Sequence, residues 1–528
     1  MAWSQLRRWA GRGGSGPQWL LLVLMCMAAG LWSVRTGTDA NWDLRNYHLY
    51  GPYALLNGRI GQDIAPAQQQ SFFNPLVNFY YYGLFRGLNG FPRVLAFLMG
   101  VPAGVYAFAL WQVALLVARD VMGRGRAALA LAAAATLLGM TGAGVRPSIG
   151  SSMADVNVAA LVMLAVWLAL RAAYAGGRPR TGAMVLLGLL AGASVGLKLT
   201  NVLYAAPLGL LVLGLFGLRA AVPAGIAMGI AFLAGWGPFA LIMRELHASP
   251  VFPLYNDIFA SPDYLPVRLT DDRFLPRSTM QAVFYPFYWT VRNTGLVTEL
   301  GMRDWRVAAG YLSAVLVLAA AASRWLLEEP PRIARPALLL FLFCAGALAL
   351  WTHMFGIYRY LLVVESLSGV LMMLAGRELF RERRLRLGAA YGLAAAAILV
   401  STRAPNWPHV RHGRQAVGVE MPAMAPDSMV LLVGDDALSY LVPFMPPGIR
   451  AIGLRNNLVR EGEEHGLIRR IRAAIAGHRG PLLMLAENGR DRGVQAAYLA
   501  GFGMRIGPCA PVRSNLEPGG YELCRLER

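Results

Sequence analysis

QWLLLVLMCMAAGLWSVRTGTDANWDLRNYHLY, residues 18–50, changes character at its midpoint. The first half carries no charge before Arg35, and a helix of about 20 such residues crosses the roughly 30 Å of bilayer hydrocarbon. The second half sets Asp39, Asp43, Arg45 and His48 among Trp42, Tyr47 and Tyr50. A plain connector between membrane helices needs no such mixture. One reading is a catalytic or binding loop at the membrane surface, with Asp43 as its leading carboxylate. The other is an interfacial linker, with aromatic rings at headgroup depth and hydrated charges. Arg7, Arg8 and Arg12 precede the apolar run as in a signal peptide, but no small-residue cleavage site follows. It reads as a retained signal anchor.

The rest of the chain repeats the apolar blocks. Of 528 residues, 56% are hydrophobic and 15% charged, which excludes a soluble protein. Helical spans are expected at about 18–35, 94–118, 127–143, 153–173, 182–198, 201–219, 222–243, 306–327, 336–354, 359–376 and 387–402, about eleven in all. The class is a polytopic α-helical membrane protein. A net charge of +20 fits nucleic acid in principle, but these arginines cluster in short loops, where they set topology. No nucleic-acid partner is expected. With alternating sides, Arg119, Arg124, Arg126, Arg178, Arg180, Arg332, Arg335, Arg377, Arg381, Arg383, Arg384 and Arg386 all join the basic segment 1–17 on the cytoplasmic face. The extracytoplasmic face then receives the outer loops 36–93 and 246–305, Arg146 with Asp155, Lys198, the turn Tyr358-Arg359-Tyr360, and everything beyond 402. The membrane module is thus 18–402. Residues 403–528 alternate strands (429–434, 481–487, 521–527) with helices (458–477, 492–501), a small extracytoplasmic α/β domain. The segment opened by Asn74-Pro75-Leu76, rich in aromatics from Phe79 to Tyr82, reads as an interfacial helix or a short span.

Several side chains invite chemistry. Asp39 and Asp43 are four apart; Asp43 suits a general base for an acceptor hydroxyl, and Asp39 either tunes it or caps a helix. Of 49 Lys plus Arg, only Lys198 is Lys. It is a chance survivor, or it marks a place for a compact ammonium. Arg359, between Tyr358 and Tyr360, either binds phosphate or snorkels to the interface. Asp155 opens a helix, where a carboxylate complements the dipole, with catalysis as the other option. Glu365, inside the following helix, needs a buried partner, and a cation of the same cluster is one candidate. In the long loop, Asn256, Asp257, Asp271, Asp272 and Arg273 are candidates for sugar or acceptor contacts, and its Phe, Tyr and Pro content suits a segment lying over a lipid tail. The seven His show no metal-ligand spacing, so a divalent metal is possible but not supported by the sequence, and no other cofactor is expected. Cys26 and Cys344 pack in apolar runs. Cys509 and Cys524 can pair in an oxidising compartment.

In the first outer loop Asp43, Tyr47, Gly58 and Asn74-Pro75-Leu76 follow one another in the order and rough spacing found in GT-C glycosyltransferases. Tyr358-Arg359-Tyr360-Leu361 is similar to a late-helix Arg-Tyr-Leu motif of the same enzymes. The chain resembles the branch holding protein O-mannosyltransferases and lipid A aminoarabinose transferases over about 18–402, although Leu44 stands where those enzymes usually have Glu. The resemblance implies a GT-C-like membrane fold and a polyprenyl-phosphate-linked sugar donor. It implies an envelope glycan, lipid or protein as acceptor, and a place in the bacterial inner (plasma) membrane. Asp43 becomes the base of an inverting transfer. Lys198, Arg359, Tyr358 and Tyr360 become donor-phosphate ligands, with Asp39, Tyr47, His48, Asp155, Asn256 and Glu365 in support. A transporter or flippase for a lipid-linked saccharide, or a non-catalytic assembly subunit, are the alternatives.

Overall fold

A computed structural model describes residues 15–329, 333–380, 383–489 and 491–528. The basic start and the loop arginines Arg332 and Arg381 lie outside the described residues. Among those described, nine helices are long and apolar enough to cross a membrane: Gly16–Thr36, Pro92–Met122, Asp155–Ala175, Leu199–Phe216, Leu218–His247, Arg306–Leu326, Arg335–Met354, Tyr358–Phe380 and Arg384–Ser401. The two remaining expected spans are the apolar helices Arg126–Met140 and Thr181–Leu197. At 15 and 17 residues and 1.5 Å of rise per residue they fall short of the hydrocarbon thickness. Every expected span is therefore helical, and nine reach full length. Gly217, at φ +74°, ends one helix and lets the next begin at Leu218.

By internal contacts the chain divides into two compact units. One holds the first helix up to Ser33, Met99–Gly235 and Asp271–Asn406. Its helices approach closely through small residues. Cβ atoms added at Gly188 and Gly192 would fall 2.1 Å from the carbonyl oxygens of Ala224 and Met228. Small residues at four-residue spacing serve this purpose in membranes, where packing rather than water drives association. Ion pairs and hydrogen bonds sort the helix ends of this unit into two sets. Arg377 pairs with Asp120 at 3.3 Å and Arg324 with Glu378 at 3.7 Å. At the other ends, fully buried Arg306 donates to the carbonyl of Leu138 and to Thr402 Oγ1.

The other unit joins Val34–Leu98, Trp236–Thr270 and Trp407–Arg528. It holds strands β1 (Thr38–Asp39), β2 (His409–Val410), β3 (Val419–Glu420), β4 (Met429–Val433), β5 (Arg450–Leu454), β6 (Leu482–Glu487), β7 (Arg505–Ser514) and β8 (Glu517–Glu527). β1 pairs with β2, and the rest form a sheet of order β3-β7-β8-β6-β4-β5. Within it β6, β4 and β5 run parallel. β4 is buried at every residue, as an apolar strand covered on both faces must be. Five strands escape the sequence reading: β1, β2 and β3 are only two residues each and carry no alternation, Gly453 weakens β5, and Pro508, Pro511 and Gly507 disguise β7. The helix expected from 458 begins at Gly466, because Asn456 Oδ1 accepts from the amides of Leu458 and Val459 and turns the chain there. Phe79–Leu88 is a helix of ten residues, too short to span. Cys509 and Cys524 face each other across β7 and β8 and are joined as a disulfide.

Candidate functional site

In the unit containing the first outer loop, Asp43 sits half-buried just ahead of a π-helical turn, Leu44–His48. Such widened turns recur at functional sites. The turn is capped from Asn41, whose side-chain oxygen accepts from the Leu44 amide at 2.8 Å. Asp39 in turn holds Asn41, both carboxylate oxygens accepting from its Nδ2 at 2.7 Å. Asp39 thus shapes the loop that carries Asp43. Leu44, directly after Asp43, is 1% exposed and is a core residue here. Tyr47 packs edge-on against buried His48 and against Phe73, with ring centroids 4.3 and 5.8 Å apart. Gly58, at φ +64°, stands just past the helix Tyr50–Leu56, where the left-handed backbone favours glycine. Beyond it, buried Arg59 grips Asp63 through Nε and Nη2, each at 2.8 Å, and also donates to the carbonyls of Pro447 and Ile449. Asp63 also accepts from the Ala451 amide at 2.9 Å and the Tyr50 hydroxyl at 2.8 Å. Sequence reasoning missed this ion pair, although its i,i+4 spacing was the available signal. Asn256 is buried and donates to the carbonyls of Ser261, Tyr264 and Leu265 while accepting from the Ser261 amide. Its hydrogen-bonding capacity is spent on closing its own loop.

The helical unit gathers the cations. Lys198 follows the helix Thr181–Leu197 directly. Its ammonium contacts the Asp155 carboxylate, donates to the Met153 carbonyl at 3.1 Å, and lies 5.3 Å from the centre of the Tyr360 ring. Arg359 Nη1 lies 3.8 Å from the other Asp155 oxygen, and its guanidinium is also 5.3 Å from that ring centre. Asp155 is the first residue of its helix and 4% exposed. It is therefore both a helix-dipole partner and the shared counter-ion of two cations. Burial pushes the Asp271 carboxyl up, but the hydrogen bonds and charge of Arg273, with Arg359 adding to them, outweigh it and hold the group below the usual carboxylate range.

Tyr358 turns inward from this cluster. Its hydroxyl donates to Glu365 at 3.0 Å and its ring packs on Trp289 at 5.7 Å. Glu365 is fully buried. Where a cation of the cluster was the candidate partner, its carboxylate instead accepts from the amides of Gly144 and Val145, at 2.9 and 3.0 Å. A bend of backbone with two buried N–H groups turned toward it does for it what a cation would. Nearby, Asp304 and Arg306 form a wholly buried pair at 2.6 Å, with Asp304 also accepting from the Ala143 amide. The same unit holds a cavity of about 840 Å³, lined by Tyr311, Leu318, Cys344, Leu348 and Leu371, with Arg277 and His353 among its polar members. The one group of potential metal ligands among the described residues is Cys509, Glu522 and Cys524, and its two sulfurs are joined to each other.

No protein-family description matches the chain, and no curated protein matches it. Solved structures do. Similar chains include ArnT from Cupriavidus metallidurans in the apo state, at TM-score 0.52 and 12% identity, covering 97% of this chain and 98% of that one. The same ArnT bound to undecaprenyl phosphate matches at TM-score 0.48 and 11% identity, with the same coverage. Over almost its whole length, then, the chain has an ArnT-like GT-C fold, mostly helical with a β-sheet region at its C-terminal end.

Proposed function

We propose that this protein is a membrane glycosyltransferase that moves one sugar from a polyprenyl-phosphate carrier to an acceptor on the extracytoplasmic side. Asp43 takes the proton of an acceptor hydroxyl as that oxygen attacks the anomeric carbon. The bond from the anomeric carbon to the phosphate oxygen breaks in the same step, so the configuration inverts. Lys198 and Arg359 hold the departing polyprenyl phosphate and its growing charge, with Tyr360 as the ring beneath them. The carrying observation is that two cations share Asp155 and the Tyr360 ring at the ends of membrane helices. The fold likeness supports it, since the ArnT of that fold has been crystallised with undecaprenyl phosphate. The 840 Å³ cavity adds room for part of an apolar chain. The grouping of Asp120 with Arg377 at one set of helix ends, and of Asp155 with Lys198 and Arg359 at another, supports a cytoplasmic and an extracytoplasmic face. The membrane is on this reading the bacterial inner membrane, with the tail outside and an envelope glycan, lipid or protein as acceptor.

The test is Asp43→Asn in protein reconstituted into nanodiscs with a polyprenyl-phosphate sugar. Transfer is expected to fall by about 10³-fold or more, with carrier binding kept. Unchanged transfer would remove Asp43 from the chemistry. In cells lacking the protein, an accumulated polyprenyl-phosphate sugar would name the donor.

A further inference from the structure

The π-helical turn after Asp43 is fastened from outside the loop, at successive residues. Arg45 forms an ion pair with Glu517 of β8, and its Nη1 also donates to the Tyr521 hydroxyl at 3.4 Å. Tyr521 in turn accepts from the buried Tyr440 hydroxyl at 3.1 Å. At the next residue, the Asn46 carbonyl accepts from Ser439 Oγ. On the other flank Asp39 pairs in register with His409, and Thr38 Oγ1 lies 2.9 Å from His412 Nδ1. Asp43 thus lies within a stretch held at both ends by residues beyond 406.

The sheet region makes a second, independent statement. Parallel strands take ligands in the crevice beyond their carboxyl ends. Here the ends of β4 and β5 meet the chain's own outer loop. Gln68 donates to the carbonyls of Asp435 and Asp436, and Asn457 accepts from the Gln69 amide at 3.0 Å. Ile64 lies in a parallel bridge with Ile452 of β5. Ile64 thus extends the sheet along the edge of β5, and what a nucleotide or sugar occupies in other α/β folds is taken here by Gln68 and Gln69.

We infer that residues 407–528 form a clamp whose job is to set the position of Asp43, with Glu517, Tyr521 and Ser439 as positioning residues. This rests on the reading of Asp43 as the base. A carboxylate displaced by about 1 Å from its acceptor hydroxyl loses a large part of its effect, on the order of 10²-fold. The carrier phosphate, bound through other residues, feels no such change.

The experiment compares full-length Glu517→Ala, Arg45→Glu and the exchanged pair Arg45→Glu/Glu517→Arg in nanodiscs, each checked for a monodisperse, disulfide-bonded fold. Each single variant is expected to lower kcat by about tenfold or more, with KM for the carrier within about twofold. The exchanged pair is expected to recover most of the loss. A kcat for Glu517→Ala within about twofold of wild type overturns the clamp, as does an exchanged pair no better than its parents. If Glu517→Ala does not fold, Tyr521→Phe, which removes a single hydroxyl, carries the same kcat expectation. Asp43→Asn runs alongside. Full activity there sinks the base reading itself, whereas an inactive Asp43→Asn beside a fully active Glu517→Ala sinks only the clamp.

Discussion

Glu365→Ala removes one carboxylate and leaves three buried donors without an acceptor: the amides of Gly144 and Val145 and the Tyr358 hydroxyl. Each unsatisfied buried donor costs about 1–3 kcal/mol. The hydroxyl can rotate to another acceptor while the two amides cannot, so the expected loss is about 2–6 kcal/mol, the cost of two unsatisfied buried amides. Glu365→Gln keeps one accepting oxygen but aims an amide nitrogen at a backbone N–H, and about 1–3 kcal/mol is expected. A third variant attacks the same contact from the other side. A Cβ at Gly142 would stand 2.3 Å from the Glu365 carboxyl carbon, so Gly142→Ala must push the carboxylate from its donors. It should cost at least as much as Glu365→Gln. Unfolding by titration with SDS in mixed micelles, followed by tryptophan fluorescence, gives the three values. Trp289, 5.7 Å from Tyr358, reports on the spot. A midpoint for Glu365→Ala equal to wild type would refute the account of the 142–145 bend, and a neutral Gly142→Ala would show the carboxylate to be loosely held. Arg359 adjoins Tyr358, so the same variants should also depress sugar transfer.

Arg359→Lys, which keeps the charge but loses the planar fork, should lower transfer at least tenfold with a raised KM for the carrier; unchanged kinetics would return Arg359 to a snorkelling role. Burial raises the Asp263 carboxyl, but the His247 hydrogen bond and the Arg470 guanidinium outweigh it and hold the group below its ordinary value. A depressed folded value means the stabilisation is complete above about pH 4, the unfolded value, and fades as pH falls through the lower folded one. Asp263→Asn should therefore be less stable than wild type at neutral pH and converge with it in acid, as measured by pH-dependent unfolding. Replacing Cys509 and Cys524 with serine opens a loop of sequence separation 15 and should cost about 3 kcal/mol. Equal denaturation midpoints with and without reductant would contradict this.

The membrane class was readable because hydrocarbon imposes one rule, an apolar helix of fixed length, and each expected block is a helix. The two short spans were not distinguishable, since Ala-rich runs such as Arg126–Met140 differ from full spans by only a turn or two. Of the candidate cluster, Lys198, Asp155 and Arg359 meet, although they lie far apart in sequence; unusual composition and helix-end placement flagged each one separately. Tyr358 reads as a phosphate ligand and Glu365 as an acid in need of a buried partner; their contact with each other was not legible, nor were the backbone amides that hold Glu365, because a backbone N–H leaves no mark in a sequence. Asp304 with Arg306, and Arg59 with Asp63, are buried pairs that look like ordinary loop charges on paper. The fastening of the first outer loop to β5 and β8 was hidden for a different reason. It depends on contacts across nearly the whole chain, such as Arg45 with Glu517, and no local pattern encodes them.

The carboxylate at the centre of the cation cluster looks at first like an obstacle to phosphate binding. Two cations at a membrane boundary are costly without a counter-ion, and Asp155 reduces their sum from two positive charges to one. On the proposed reading the donor is a sugar attached to polyprenyl phosphate, a diester with one negative charge, which would balance the cluster. When the sugar leaves, the phosphate becomes a monoester and gains charge, toward the −1.5 to −2 usual for such groups near pH 7. One additional charge about 4 Å from a cation is worth about 4 kcal/mol at an effective dielectric of 20, and it arises only as the bond breaks. On the proposed reading Asp155 keeps the ground state from being bound too tightly, while Lys198 and Arg359 meet the charge that develops, and it is that difference, not binding strength alone, that speeds a reaction.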